Sequence, residues 1–177
     1  LKGLIISNMV ASIPEYITYA NEVLGPQLDS AVLAEIRELE EKEDYANPRY
    51  DELVVMNYYP KHVLRMPLEQ WPDPVNRAFA NINAEMYVTM QGPSEFGVVG
   101  DAKLKKWDRK TDLKNLSVPT LAIGSRYDTM DPEAMKWMSE EVQNGTYLYC
   151  PQGSHMSMYD DQKVYFDGLI QFIKGID

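Results

Sequence analysis

"VPTLAIGSRYDTMDP", residues 118–132, decides how this chain is read. Behind Pro119 it opens as an apolar run of strand length, and it closes in a turn crowded with carboxylates that carries Asp128 at the strand's end. Asp131 then caps a helix with Pro132 at its first position and Glu133 in its first turn, and Met135, Met138 and Val142 share one side of that helix. "GTYLYC" (145–150) reads as the next short strand, and "PQGSHMSMYDD" (151–161) places His155 just past it. A last helix is expected from about Asp160 to Lys174, with Tyr165, Leu169, Phe172 and Ile173 at i, i+4, i+7 and i+8 on its packed face.

Upstream the texture differs. Gly3 to Ser7 is a short apolar run expected to be a strand buried on both faces. From Ile13 to Gln91 the pattern is helical. "IPEYITYANEVLG" (13–25) is expected to end at Gly25, and "DSAVLAEIRELEEKE" (29–43) starts with Asp29 or Ser30 as N-cap and puts Val32, Ile36 and Leu39 on one face. The charged "ELEEKED" from Glu38 reads as the solvated side of that helix. "YANPRYDE" (45–52) reads as a loop, and "PVNRAFANINAEMYVTMQ" (74–91) as one longer helix stopped by Gly92 and Pro93. The lysine-rich "KLKKWDRKTDLKNL" (103–116) is a polar connection.

The order is strand, helical block, then strand, helix, strand, helix. Alternation of that kind builds a parallel sheet covered by helices, and a helical block inserted between sheet strands has the form of a cap. The expected fold class is therefore α/β: a core strand in residues 1–12, a helical cap and return linker over 13–112, and the C-terminal part of the core over 113–177.

Ligands of open α/β sheets gather outside the carboxyl ends of the strands. Asp128 lies past one such end and His155 past the next, so neighbouring loops can bring a carboxylate and an imidazole together. A hydroxyl nucleophile needs a base to take its proton, and that imidazole needs a carboxylate to hold its tautomer. Acid and then histidine is the tail of the chain order Ser, Asp or Glu, His of the α/β-hydrolases. The sequence contains no G-x-S-x-G and no glycine-rich oxyanion loop. The chain also opens in "LKGLIISN", without methionine and directly in an expected strand, so a preceding segment carrying the nucleophile elbow is expected.

Other residues receive plainer readings. Ser154 lacks the strand-to-helix elbow that presents a nucleophile. His62, in "YYPKHVL", is structural or at the surface. Asp128 and Asp131 without further spaced acids are a weak cation signal, and Asp131 is accounted for as a helix cap. Cys150 reads as a small buried residue, and one thiol with two histidines is too few for a zinc site, so no metal is expected. With 45% hydrophobic residues the chain can build one core of ordinary domain size. Its net charge of −10 opposes binding to phosphate backbones or anionic lipid, and no apolar stretch approaches the ~20 residues of a membrane-spanning helix. Neither nucleic acid nor membrane is expected as a partner.

"NAEMYVTMQGPSEF" (83–96), "KKWDRKTDLKNLSVPTLAIGSRYDTMDP" (105–132) and "PQGSHMSMYDD" together resemble the proline iminopeptidases, or prolyl aminopeptidases, of the α/β-hydrolase superfamily. The likeness is to their second half, cap included, and covers essentially the whole chain. The "YD" and "GSH" elements are shared by many α/β-hydrolases, whereas "MQGPSEF" joined to the W-D segment is much closer to this family. The resemblance implies a cofactor-free serine peptidase acting on small peptides with a free N-terminus; the cytoplasm is the expected compartment, with the periplasm as the alternative. It implies Asp128 as triad acid, His155 as triad base, and Glu95 as the cap carboxylate that holds the substrate's α-amino group. Without the resemblance Glu95 reads as a surface residue after a helix. Some relatives carry a second glutamate directly after the triad acid, where this sequence has Thr129, and Glu85 is a candidate substitute from the preceding helix.

Two other functions fit the same residues. One is a capped hydrolase of another specificity, an esterase or epoxide hydrolase, in which cap tyrosines and methionines line an uncharged pocket. The other is a non-catalytic fragment whose first strand offers an apolar edge to another chain.

Overall fold

A computed structural model describes residues 1–176. In chain order the elements are strand β1 (Leu4–Ser7); helices α1 (Ile13–Tyr19), α2 (Ser30–Glu41), α3 (Pro48–Asn57), α4 (Tyr59–His62), α5 (Asp73–Ala80) and α6 (Ala84–Met90); then β2 (Thr120–Ser125), α7 (Pro132–Glu141), β3 (Gly145–Cys150), α8 (Ser157–Asp160) and α9 (Gln162–Gly175). They fall into two compact units, one of residues 1–12 and 108–177 and one of residues 13–107. The chain rejoins the first unit at Asp108 rather than at residue 113. Two ties hold it there: the Arg109 amide donates to Ala11 O at 2.8 Å, and Ser12 Oγ donates to Asp108 at 3.0 Å.

The first unit is a parallel sheet in the order β1-β2-β3. Ser7 lies opposite Ile123, and Ser125 opposite Cys150, so the carboxyl ends of all three strands open toward one edge. Helices cover both faces. On one, Ala122 packs with Met135, Met138 and Val142, the side of α7 expected from its spacing. On the other, Leu121, Ile123 and Cys150 pack with Tyr165, Leu169 and Phe172. Every residue of the central strand β2 is consequently buried.

β1 departs from the expected double burial. It borders the described sheet, and Ile5 remains 41% exposed. On α9, Tyr165, Leu169 and Phe172 meet the sheet while Ile173 is exposed. Eight residues at 100° each rotate past the seam, so i+8 falls off the narrow buried stripe.

The second unit is helical. Asp29 caps α2 by accepting from the amides of Ala31 and Val32, and Ile36 is its fully buried residue. Three expectations change here. α1 does not stop at Gly25 but runs through a widened turn (Ala20–Leu24) into a 3₁₀ turn (Gly25–Gln27). Gly25 keeps right-handed geometry, and a Cβ there would come within 3.3 Å of Ala20 O and 3.5 Å of Phe96, so close approach accounts for the glycine.

"YANPRYDE" is not a loop: Asn47 caps α3 through the Arg49 amide and Pro48 occupies its first turn, where a missing N–H costs nothing. The long helix expected over 74–91 breaks into α5 and α6, because Asn83 caps a new helix by accepting from the Met86 amide. Gly92, at φ 114°, takes the chain away from α6.

His62 is buried in this unit, and its ring lies 4.8 Å from that of Tyr58, which packs at the same distance on Phe96. It is a packed core histidine. No helix of the described residues is long and apolar enough to cross a membrane.

Candidate active site

The loops after β2 and β3 are laced together by their backbones. Arg126 N donates to Cys150 O at 3.1 Å, and Tyr127 N to Gly153 O at 3.0 Å. Gly153 permits this approach, since a Cβ there would lie 2.6 Å from Ser157 Cβ and 3.0 Å from Cys150 Cβ. A turn that returns the Asp128 amide to Ser125 O then aims the Asp128 side chain at the neighbouring loop.

Asp128 Oδ1 and His155 Nδ1 stand 2.9 Å apart. The carboxylate is sealed from solvent while the imidazole keeps a quarter of its surface. Oδ1 also accepts from the Met130 amide at 3.1 Å and from Thr129 Oγ1 at 3.3 Å. A carboxylate only accepts, so Nδ1 carries the hydrogen and a neutral imidazole keeps its lone pair on Nε2. This is the arrangement by which a histidine takes a proton from a hydroxyl while the carboxylate steadies the imidazolium that forms.

The neighbours have other tasks. Ser154 is buried and its hydroxyl donates to Asp160, which also accepts from the Ser154 amide at 3.0 Å. Asp131 caps α7 through the Glu133 amide at 2.9 Å. Cys150 is buried, and burial pushes its thiol up to about 11, assisted by the nearby Asp161 charge. Thr129, at the position of the second glutamate of some relatives, is buried and points its hydroxyl at the pair.

Sequence reasoning missed Asn8. It directly follows β1, is 4% exposed, and donates from Nδ2 to Asp128 Oδ2 at 2.6 Å. Its φ of 51° is left-handed, a region in which Asn is enriched among non-glycine residues. An asparagine immediately behind a strand was the available signal.

In the second unit, Glu95 is partly buried. Its carboxylate accepts from the Tyr87 hydroxyl and from Gln91 Nε2 at 3.1 Å. Its backbone is held by two phenols: Tyr16 donates to Glu95 O at 2.6 Å, and the Glu95 amide donates to Tyr59 at 3.3 Å. Burial first and then the Glu95 charge push the Tyr59 and Tyr87 phenols well above their ordinary values, so both stay protonated. The Tyr87 hydroxyl and the Gln91 amide, both neutral donors, orient the carboxylate. Glu85 is exposed, and its position on α6 is two residues from Tyr87, hence on the opposite side from the face that meets Glu95.

A parallel sheet covered by helices, with an inserted helical unit and an acid and a histidine on consecutive strand ends, defines an α/β-hydrolase. Solved structures agree. VinJ superposes with a TM-score of 0.90 at 23% identity, over 100% of this chain and 58% of that one. A proline iminopeptidase from Mycobacterium smegmatis superposes with a TM-score of 0.82 at 25% identity, over 99% and 57%. Among curated proteins, proline iminopeptidases from Elizabethkingia meningoseptica and Flavobacterium johnsoniae are 57% and 54% identical over all 177 residues. No protein-family model matches the chain. The chain is thus similar to proline iminopeptidases, and it spans 58% of the length of those curated relatives.

Proposed function

We propose that these residues form the acid–base and cap portion of a serine peptidase that releases N-terminal proline from small peptides by acyl transfer. The observation that carries the reading is the 2.9 Å contact between a fully buried Asp128 and a part-exposed His155. A serine from polypeptide outside these 177 residues attacks the prolyl carbonyl, His155 takes its proton and returns it to the leaving amine, and Asp128 orients His155. Glu95 receives the substrate's α-ammonium. A free N-terminus is cationic and an internal peptide bond is not, so a charge-assisted hydrogen bond in a partly dry setting selects the former.

On this reading no cofactor takes part, and the 177 residues alone are inactive because acid and base without nucleophile or oxyanion donors form no acyl-enzyme. Prolyl arylamide turnover by the isolated chain overturns that statement. The compartment is the cytoplasm, with the periplasm as the alternative, and cell fractionation decides between them.

The test of specificity uses the full-length protein and compares a prolyl arylamide with a simple nitrophenyl ester. Glu95→Gln is expected to depress the first reaction by at least about tenfold, the loss of a charged hydrogen bond worth roughly 1.5–3 kcal/mol, and to spare the second. Equal loss on both substrates, or on neither, points instead to the capped esterase or epoxide hydrolase.

A further inference from the structure

The Asp128 carboxylate has two oxygens, and the acid–base pair uses one of them. Oδ1 meets His155, and Oδ2 is met by Nδ2 of Asn8 at 2.6 Å. The same amide nitrogen lies 3.0 Å from Ser125 Oγ and 3.3 Å from Ser154 O, so it joins β1 to the loops after β2 and β3. Its oxygen, Oδ1, accepts from Ser7 Oγ at 2.9 Å and from Ser157 Oγ at 3.2 Å. Two hydroxyl donors on one side and a carboxylate on the other leave the amide a single sensible orientation, because the flipped group would set oxygen against oxygen. Ser7 is braced in turn against the Tyr165 hydroxyl at 3.0 Å.

The backbone is arranged to the same end. The Asn8 amide still follows the sheet, donating to Ile123 O at 2.9 Å, but φ is 51°. That left-handed step turns the side chain under the neighbouring loop, at a cost to any residue with a Cβ. A buried carboxylate with one oxygen unanswered is strongly disfavoured, and its route to relief is rotation or uptake of a proton, either of which spoils its contact with the imidazole.

We propose that Asn8 is a positioning residue of the active site, whose amide clamps Asp128 in the rotamer that holds His155 in its Nδ1–H tautomer. The inference rests on the reading of Asp128 and His155 as an acid–base pair. Asn8 acts through Asp128 and does not touch the substrate.

The experiment is ring-nitrogen NMR on the histidine-labelled full-length protein, at a pH where imidazole is neutral, with the His155 and His62 signals assigned by substituting each in turn. His62, buried in the helical unit, reports on that unit, and protection of buried Cys150 from a thiol reagent reports that the sheet unit is folded. Asn8→Gly removes the amide while accepting the left-handed backbone without strain. Its His62 signals are expected to stay in place, while the His155 Nδ1 proton moves upfield or is lost and the Nε2–H tautomer appears. Asn8→Asp keeps the shape and the Oδ1 acceptor, so it serves if the glycine variant does not fold. It sets an oxygen against Asp128 Oδ2 and forces the two carboxyls to share a proton, which weakens the acceptor for His155 in the same direction.

A His155 spectrum unchanged in the folded variants overturns the proposal. Asp128→Asn separates the two levels: if it too leaves His155 unchanged, the pair itself is wrong, whereas a response to Asp128→Asn and not to Asn8 condemns the Asn8 role alone. In the full-length enzyme, Asn8→Gly is expected to lower kcat about 10- to 100-fold, the range over which supporting hydrogen bonds act, with KM within about twofold. A loss confined to KM overturns the role as well.

Discussion

Asp128 and His155 share one hydrogen bond but not one environment: the acid is fully enclosed and the base is a quarter exposed. The carboxylate's orientation is thereby set from inside the fold, by the Met130 amide, Thr129 and Asn8, while the imidazole remains partly exposed. Asp128→Asn in the full-length protein is expected to cut kcat by about 10⁴ on both prolyl arylamide and nitrophenyl ester, since the amide supports the wrong tautomer. Steady-state kinetics on the two substrates measures it, and retention of more than a tenth of either activity rejects the assignment.

Asp131 separates a structural reading from a metal one. As the N-cap of α7 its side chain accepts from the Glu133 amide, so Asp131→Ala is expected to cost about 1 kcal/mol and Asp131→Ser to restore most of it. Urea denaturation of the three proteins gives the comparison. A cation site predicts instead that serine fails to rescue and that divalent ions stabilise the wild type alone.

Gly145 begins β3 where the chain passes the end of α7, and a Cβ there would lie 1.8 Å from Ser139 O. Backbone, rather than a mobile side-chain tip, occupies the space. Gly145→Ala is therefore expected to destabilise by about 3 kcal/mol, at the upper end of overpacking costs. Gly175→Ala, with nothing within 4 Å, is expected to be neutral or slightly stabilising. Chemical unfolding of the pair tests the contrast.

Cys150 supplies a pH prediction. Its thiol is raised from 9.0 to about 11, chiefly by burial. The fold thus prefers the neutral thiol, and the associated stability is complete below pH 9 and is lost as pH rises toward 11. A thiol reagent is expected to react slowly with the native protein near pH 8 and rapidly after denaturation, and Cys150→Ala should remove that contribution to the alkaline fall in stability. Fast labelling of native protein contradicts the burial argument.

Much of the layout was legible along the chain because its signals are local. Pro119, the Asp131 cap with Pro132, and the Met135, Met138 and Val142 stripe each act within one turn or one strand, and the structure repeats them at β2 and α7. Where local signals competed, the sequence was misread. Pro48 looked like a breaker until Asn47 was seen to cap α3, and the run over 74–91 looked continuous although Asn83 starts a second helix. Pro and Asn serve both turns and helix starts, and only the hydrogen bonds actually made distinguish the two.

The sequence by itself determined the α/β order, the spacing that puts Asp128 and His155 behind successive strands, and the likeness to proline iminopeptidases. Tertiary structure alone decided how the Asp128 carboxylate is held. Asn8 lies 120 residues from Asp128, and the helical unit intervenes, so no local pattern links them. They meet because parallel pairing brings β1 beside β2 with both carboxyl ends at one edge, and register of that kind depends on long-range hydrogen bonds and packing rather than on neighbours in the chain.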